Sequence, residues 1–299
     1  MTEEKRAIGK ATILIPAFNE EEAIPPVIEA VRRAMDSSRI PYEVLVVDDG
    51  STDSTREKAL AAGARVISLE TNRGTGAART RGILKAEGEC IAMLDADGSY
   101  PADRLPELIR GLEACDMTVG ARTTEAGTLK FLRAPVKALI KGLAEYMMRR
   151  RIPDLNTGMR AFRKKTALRF LYLLPDTHSW VSTITLAYLA NGLDVRYMPI
   201  SYHKRIGRSS FHPLRDTYNM VSLSARTVMY FFPLRVFLPL AFLLAGAGVA
   251  KSLYSYFVSV GRLQQSDIVI LLTAVMVTAV GLLADLIVVH GRRIHMEED

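Results

Sequence analysis

Residues 42–54 read YEVLVVDDGSTDS. Four aliphatic residues in a row lead directly into two aspartates, a glycine and a series of short polar side chains. A continuous apolar run of this length is typical of a strand that is covered on both faces of a parallel sheet. Asp48 and Asp49 then stand at the carboxyl end of that strand, where parallel α/β sheets bind their ligands. The stretch therefore predicts a buried strand that delivers two carboxylates to a binding site.

Three other short β-rich runs accompany this one, at residues 12–15, 65–68 and 90–94. Segments with helical spacing separate the four runs, so the order is β-α-β-α-β-α-β and the fold class is a doubly wound α/β domain. Polar clusters follow three of the runs, at residues 16–20, 48–53 and 95–98. Because the carboxyl ends of parallel strands share one edge of a sheet, we expect these clusters to face one crevice.

The last of these clusters holds two aspartates separated by one alanine. Asp95 and Asp97 lie in LDADGSYP, residues 94–101, directly after the fourth apolar run. Like charges at the end of a buried strand are costly unless something positive compensates them. Carboxylate oxygens suit Mg²⁺ or Mn²⁺, and such an ion bridges readily to a substrate diphosphate. The pair therefore predicts a metal site that neutralises the charge on a departing nucleoside diphosphate.

A glycine-containing loop, residues 72–79, precedes the third predicted helix. Gly74 and Gly76 stand at the start of that helix. Free backbone N–H groups at such a position can bind phosphate, and glycine also permits close packing of the helix against a neighbouring segment. The sequence leaves these two interpretations equally open.

Positive charge is concentrated in the middle of the chain. The net charge is +7, and residues 121–165 hold twelve Lys or Arg against three acidic residues. Apolar residues recur at helical spacing over residues 129–151 beside several lysines and arginines, which predicts a basic amphipathic helix. Such a helix packs against a core with a solvated face or lies in a membrane interface. We favour the interface, and expect a membrane rather than nucleic acid as the partner, because apolar segments follow.

Residues 236–260 and 268–289 are overwhelmingly apolar, and each is long enough to cross a bilayer. They predict a transmembrane hairpin in residues 227–299, after a catalytic domain in residues 1–226. Asp285 within the second segment is expected to cap, pair or face another subunit, which suggests a homo-oligomer.

The distribution of arginines predicts how this hairpin is oriented. Arg226 and Arg235 precede the hairpin and Arg292 and Arg293 follow it, against Arg262 alone in the connecting turn. This asymmetry predicts that both termini are cytoplasmic. The first ten residues, MTEEKRAIGK, lack the apolar core of a secretory signal, so residues 1–226 are also expected in the cytoplasm.

Six motifs occur in a specific order along residues 11–226. They are IPAFNE at 15–20, VDDGS at 47–51, NRGTGAAR at 72–79, DADG at 95–98, DLNTGMR at 154–160 and RIGRS at 205–209. In this order and spacing the chain resembles the inverting family 2 glycosyltransferases of the GT-A fold. Within that family it looks like a polyprenyl-phosphate glycosyltransferase of the dolichyl-phosphate mannose synthase kind.

The resemblance implies a donor site for a nucleotide-diphosphate sugar. It assigns the base and ribose to Pro16, Glu20, Asp48 and Asp49, the metal to Asp95 and Asp97, and the diphosphate to Arg205 and Arg208. Arginine suits the diphosphate because its planar fork matches phosphate oxygens. Related synthases often carry glutamine two positions after the second metal aspartate, where this chain has Ser99. The third metal contact is therefore open.

The resemblance also implies an acceptor site for a polyprenyl phosphate such as undecaprenyl or dolichyl phosphate. Arg122, Arg133 and Arg160 are assigned to the acceptor phosphate, and Asp154 acts as a base or orients a positive partner. We favour the orienting role, because a lipid phosphate is already ionised and attacks without losing a proton. His178 and Trp180 either shape the sugar pocket or pack in the core.

Four other functions compete with this interpretation. A processive polysaccharide synthase needs a Gln-x-x-Arg-Trp motif, but the glutamines of this chain are Gln264 and Gln265, between the two apolar segments. A nucleotidyltransferase explains neither the hairpin nor the basic helix. A catalytically silent membrane scaffold or lipid-binding subunit, and a transferase that uses another lipid acceptor, remain as alternatives.

Overall fold

The computed structural model describes residues 8–123, 142, 145, 150–177, 179–206, 233–259, 261–262 and 264–297. Most of the predicted basic helix 129–151 lies outside these ranges, as do Arg133, His178 and Arg208. The chain divides into two compact units, Met1–Ser224 and Ala225–Asp299. Each unit is described by itself.

The first unit is built on a seven-stranded sheet in the described part of the chain. Its strands are Ala11–Ala17 (β1), Tyr42–Asp48 (β2), Arg65–Ser68 (β3), Cys90–Met93 (β4), Met117–Arg122 (β5), Arg160–Arg163 (β6) and Val195–Ile200 (β7). They are ordered β3-β2-β1-β4-β6-β5-β7, and only β6 runs antiparallel to its neighbours. The first four strands confirm the four predicted runs and the α/β fold class.

Helices cover the sheet and bury its apolar residues. They are Ile24–Asp36 (α1), Thr55–Ala61 (α2), Thr75–Lys85 (α3), Leu105–Gly111 (α4), Lys164–Leu168 (α5) and Trp180–Ala190 (α6). In α1, Ile24, Ile28, Val31 and Met35 recur at intervals of three or four and are buried in the core. This spacing places them on one face of the helix, which therefore packs against the sheet.

Strand register brings the predicted site to one edge of the sheet. Ala17 at the end of β1 pairs with Asp48 at the end of β2, and Leu14 pairs with Met93 at the end of β4. Because β6 is antiparallel, its first residue, Arg160, pairs with Met93. The loop before β6 therefore emerges at the same edge as the loops after β1, β2 and β4.

The second unit contains two long apolar helices, Pro233–Tyr254 (α7) and Gln265–Glu297 (α8). Two segments, Pro233–Val258 and Gln265–Val288, are long and apolar enough to span a membrane. Only 11% and 17% of their most apolar windows are buried, so neither is the core helix of a soluble domain. The two predicted apolar segments are thus helices, and both are long and apolar enough to span a membrane.

An ion pair that the sequence analysis did not predict joins the two long helices near the turn between them. The Lys251 ammonium donates to Asp267 at 2.6 Å and to the Ser266 hydroxyl at 2.6 Å. The Asp267 side chain is fully buried and also accepts the backbone N–H of Gln264. A charge buried beside an apolar helix is tolerated because it is paired in this way.

Candidate active site

The loops after β1 and β2 are tied together by hydrogen bonds between polar side chains and backbone. The backbone N–H of Asn19 donates to the Ser51 hydroxyl at 2.9 Å, and the Asn19 side chain accepts the N–H of Thr52 at 2.9 Å. Asn19 has φ 53°, a left-handed conformation that asparagine tolerates better than most residues. The next residue, Glu20, is fixed through its backbone N–H to the Thr55 hydroxyl at 2.8 Å.

Asp48 and Asp49 are both 3% exposed at this edge, and Pro16 is buried within β1. One oxygen of Asp48 accepts the backbone N–H of Ser51 at 3.1 Å. The two oxygens of Asp49 accept the backbone N–H groups of Arg73 and Gly74 at 2.9 and 2.8 Å. Burial raises the pKa of Asp49, although these hydrogen bonds oppose the shift. Asp49 thus anchors the glycine loop, and its contact with a nucleotide stays a prediction.

The start of α3 distinguishes between the two interpretations of its glycines. The backbone N–H groups of Gly76 and Ala77 both donate to the carbonyl oxygen of Asp176, at 3.0 and 3.3 Å. A Cβ atom on Gly76 would collide with the carbonyl oxygen of Pro175, and Gly74 has φ 101°. The helix start is therefore occupied by the chain itself, and the glycines serve close packing.

Asp95 and Asp97 each use one oxygen for the protein. Oδ1 of Asp97 accepts the N–H of Ser99 at 3.0 Å and its hydroxyl at 2.5 Å. Oδ1 of Asp95 accepts a guanidinium N–H of Arg79 at 2.8 Å. Within the described ranges neither Oδ2 accepts a hydrogen bond.

This donor set fits a hard divalent cation. Two carboxylate oxygens are a typical protein contribution to a Mg²⁺ site, where the substrate phosphates and water supply the remaining ligands. Ser99 does not supply a third contact, because it is fully buried and already donates to Asp97. The described residues contain no group of three metal-ligating side chains, so the two aspartates would act with the substrate.

Arg205 lies between two of these carboxylates. One of its N–H groups donates to Glu20 at 3.2 Å, and the same nitrogen is 3.7 Å from Oδ2 of Asp97. Its segment is held by backbone hydrogen bonds from His203 to Ser99 and from Ile206 to Asp97, both 2.9 Å. Burial, opposed by the charge of Arg205 and reinforced by the charges of the nearby aspartates, raises the pKa of Glu20 to about 7. Four of the donor-site residues predicted from the resemblance thus meet at one place: Glu20, Asp95, Asp97 and Arg205.

Arg122 and Asp154 form a two-pronged ion pair. Nε and Nη2 of Arg122 donate to the two oxygens of Asp154 at 2.7 and 3.0 Å, and the guanidinium carbon lies 5.3 Å from the centre of the Tyr202 ring. Burial raises the pKa of Asp154, but the hydrogen bonds and charge of Arg122 outweigh it and hold that pKa below its usual range. A carboxylate held in this state is a poor base at neutral pH, so the geometry favours the orienting role.

Arg160 argues against the role predicted for it. It is 0% exposed and donates to the carbonyl of Val181 at 2.7 Å, the hydroxyl of Thr185 at 2.8 Å and the carbonyl of Thr157 at 2.5 Å. Burial lowers its pKa to about 10. A guanidinium enclosed in this way does not reach an acceptor phosphate, so the prediction for Arg160 is corrected to a structural role between the 154–158 loop and α6.

Two residues of the site were not assigned a role by the sequence. Arg79, the last residue of the NRGTGAAR motif, is 4% exposed on a buried helix face and holds Asp95. Tyr202 packs against both Arg122 and Tyr100, and the ring centres of Tyr202 and Tyr100 are 5.3 Å apart. Trp180 is fully buried, which supports the packing interpretation.

A mixed α/β sheet with an Asp-x-Asp pair and a facing arginine at one edge defines a glycosyltransferase of the GT-A type. The chain belongs to glycosyl transferase family 2: residues 12–170 match that family, and residues 232–289 match the GtrB C-terminal hairpin.

Relatives and a solved structure agree with this assignment. The chain is 28% identical to a dolichyl-phosphate beta-glucosyltransferase of Trichomonas vaginalis, over 64% of this chain and 64% of that protein. It is 26% identical to a dodecaprenyl-phosphate galacturonate synthase of Rhizobium johnstonii, over 74% of this chain and 66% of that protein. The matches thus span slightly less than two thirds of these relatives' own length. Glucosyl-3-phosphoglycerate synthase from Mycobacterium tuberculosis, crystallised with Mn²⁺, UDP and glucosyl-3-phosphoglycerate, shares the fold with a TM-score of 0.57 at 22% identity, over 74% of this chain and 79% of that one.

Proposed function

We propose that this protein transfers a sugar from a nucleotide-diphosphate sugar to a polyprenyl phosphate. The observation that carries the proposal is that an acidic pair and an arginine held by a carboxylate occur together at one sheet edge. Asp95 and Asp97 present carboxylate oxygens on one side, and Arg122, held by Asp154, presents a cation on the other. The segment from Tyr202 to Arg205 contacts both halves. The names of two relatives and the hairpin match support a polyprenyl phosphate as the acceptor.

The donor half would bind the nucleotide sugar. Oδ2 of Asp95 and Oδ2 of Asp97 would hold Mg²⁺ or Mn²⁺, which when bound neutralises charge on the leaving nucleoside diphosphate. Arg205, together with Arg208 outside the described residues, would exchange its carboxylate partners for diphosphate oxygens, which suit its fork equally well. Pro16, Glu20, Asp48 and Asp49 line the same edge and would contact the base and ribose.

The acceptor half would position the lipid phosphate. Arg122 keeps its remaining N–H groups for a phosphate because Asp154 fixes the guanidinium from one side. Arg133 would add a second cation. An ionised phosphate oxygen forms a bond to the anomeric carbon while the bond from that carbon to the diphosphate oxygen breaks, and the nucleoside diphosphate leaves with the electron pair. A single direct displacement inverts the anomeric centre, and no proton has to be removed.

The hairpin would hold this reaction at the cytoplasmic face of a membrane. The excess of arginines outside the turn supports cytoplasmic termini. The basic helix predicted at residues 129–151 would lie in the interface and attract anionic lipid headgroups. Asp285, which is partly exposed on α8, would face a neighbouring copy in a homo-oligomer.

The test is a transfer assay with the detergent-purified full chain. A panel of radiolabelled nucleotide sugars is incubated with Mg²⁺ or Mn²⁺ and with undecaprenyl or dolichyl phosphate, and label is measured in the organic phase. We expect label from one donor, dependent on both metal and lipid. If no donor yields lipid-linked label while nucleotide binding is intact, the polyprenyl acceptor is wrong, and the scaffold or another acceptor takes its place.

A further inference from the structure

Arg79 is a buried cation that the reaction as described does not use. Its side chain is 5% exposed on the inner face of α3, and its Nη2 lies 2.8 Å from Oδ1 of Asp95. Asp95 is its one anionic partner within the described residues. Burying a guanidinium costs several kcal/mol, and an apolar side chain would fill the same space without that cost. Packing alone therefore does not explain an arginine here.

The surroundings of Arg79 restrict its movement. Its guanidinium carbon lies 5.9 Å from the centre of the Trp180 ring, within the range of a cation–π contact. The Trp180 indole N–H donates to the hydroxyl of Thr80, the next residue on α3, at 3.0 Å. The start of the same helix is closed by the carbonyl of Asp176. Helix and arginine are thus both fixed before any ligand binds.

Fixing Arg79 also fixes one oxygen of Asp95. With Oδ1 engaged, the Asp95 carboxylate has one orientation, in which Oδ2 is left for another partner. Gly158 approaches this carboxylate so closely that a Cβ atom there would lie 2.8 Å from Oδ2, so the approach from that side is limited to glycine. Mutating a residue that orients a metal-ligating carboxylate in this way commonly lowers the metal affinity by a factor of roughly 10 to 100.

We propose that Arg79 is a positioning residue for the metal site, which presents Oδ2 of Asp95 to the cation and is itself held by Trp180. This inference rests on the metal role of Asp95 and Asp97 in the proposed function. The chain contains one tryptophan, so its tryptophan fluorescence reports on the surroundings of Trp180, which include Arg79.

The experiment measures Mn²⁺ binding to the detergent-purified full chain by electron paramagnetic resonance, with Mn²⁺ as the only probe. Arg79→Met removes the charge but keeps an unbranched side chain, and Arg79→Gln keeps a hydrogen-bond donor. Arg81→Met is the matched control, because Arg81 is exposed two residues further along the same helix. Asp97→Asn tests the metal site itself. Mg²⁺ titrations followed by Trp180 fluorescence give a second readout that does not depend on turnover.

We expect Arg79→Met and Arg79→Gln to raise the Kd for Mn²⁺ by roughly 10-fold to 100-fold. We also expect them to abolish the Mg²⁺-dependent change in Trp180 emission, while Arg81→Met stays at the wild-type values. If Arg79→Met does not fold, Arg79→Gln decides the question. Wild-type Mn²⁺ affinity in the Arg79 variants, with weakened binding in Asp97→Asn, overturns the positioning role and leaves the metal site standing. Wild-type affinity in Asp97→Asn overturns the metal assignment, and the role of Arg79 with it.

Discussion

The donor and acceptor halves of this site both depend on buried carboxylates, but they differ in what the carboxylate oxygens contact. Asp97 and Asp154 have almost the same side-chain exposure, 10% and 12%. Asp97 gives one oxygen to Ser99 and leaves the other without a hydrogen bond in the described residues, whereas both oxygens of Asp154 accept from Arg122. The partners, rather than the burial, therefore separate a carboxylate that can bind a cation from one that orients an arginine.

The charge balance of the two halves follows the same division. Three acidic side chains, Glu20, Asp95 and Asp97, face two arginines, Arg79 and Arg205, in the donor half. In the acceptor half one aspartate faces one arginine. The donor half has a surplus of negative charge, which a divalent cation would relieve, and the acceptor half would stay neutral until a phosphate bound. The raised pKa of Glu20, caused first by burial and then by the neighbouring aspartates, reflects that surplus.

Replacing a carboxylate of the donor half should have the largest effect. Asp97→Asn keeps an oxygen to accept from Ser99 but removes the charge, so we expect transfer to fall roughly a thousandfold, equivalent to about 4 kcal/mol, with little change in folding. Turnover at saturating metal and thermal unfolding measure the two quantities. Full activity in this variant would remove the distinction between the halves, since Asp97 would then be a structural carboxylate like Asp154.

Removing the cation of the acceptor half should have the next largest effect, and a different kinetic signature. Arg122→Ala deletes the group that pairs with the acceptor phosphate, so we expect kcat/KM for the lipid to fall roughly 100-fold while the affinity for the nucleotide sugar changes little. Lipid and donor titrations separate the two parameters. Arg33→Ala, at an arginine whose side chain is 73% exposed, is the control. Equal losses for lipid and donor would mean that Arg122 does not belong to the acceptor half alone.

Asp154→Asn should have a smaller effect, because the arginine remains and only its orientation is lost. We expect kcat/KM for the lipid to fall roughly 10-fold, as is common for the partner of a binding residue. The pKa of Asp154 is lowered, so its ion pair with Arg122 is fully formed above the ordinary carboxyl pKa and is lost only as pH falls through the lowered value. Asp154→Asn should therefore lower kcat/KM for the lipid by the same factor, relative to wild type, at every pH between about 5 and 8. If wild-type activity falls at the acidic end of that pH range and this fall disappears in Asp154→Asn, Asp154 is a base.

The strands that precede the donor half could be predicted from local pattern. The runs at residues 42–47 and 90–94 are continuous, apolar and followed by charged turns, and each is a strand that ends within one residue of the predicted limit. The strands β5, β6 and β7 were not predicted. The sequence RAFR of β6 is only four residues long and does not alternate, since two apolar residues stand between two arginines. The strand is stabilised by pairing with β4 and β5, which are distant in sequence.

The same limit explains what the sequence missed in the site. Motifs locate Asp95, Asp97 and Asp154, and the family resemblance adds Arg122. They do not show that Asp154 closes on Arg122, that Arg79 reaches Asp95, or that Asp49 is engaged by the glycine loop, because these contacts join residues 16 to 32 positions apart through the packing of helices and loops. Arg160 was placed with Arg122 for the same reason: a motif identifies an arginine but not the direction in which β6 turns its side chain.

Replacing Arg160 should have the smallest effect on activity. Because this arginine has no access to the site, its replacement should change the stability of the protein but not its substrate preference. Arg160→Met removes a donor from three buried oxygens, although the Val181 carbonyl still accepts the Thr185 hydroxyl. A buried oxygen that is left without a partner costs about 1–3 kcal/mol. The substitution also removes a buried charge that faces only neutral acceptors, which offsets part of that loss. We expect a net destabilisation of about 2 kcal/mol, with the ratio of lipid to donor KM within about threefold of wild type. Thermal unfolding and steady-state titrations of both substrates provide the measurement. A selective rise in the lipid KM comparable to that of Arg122→Ala would restore Arg160 to the acceptor half, and would mean that the loop before β6 opens when the lipid binds.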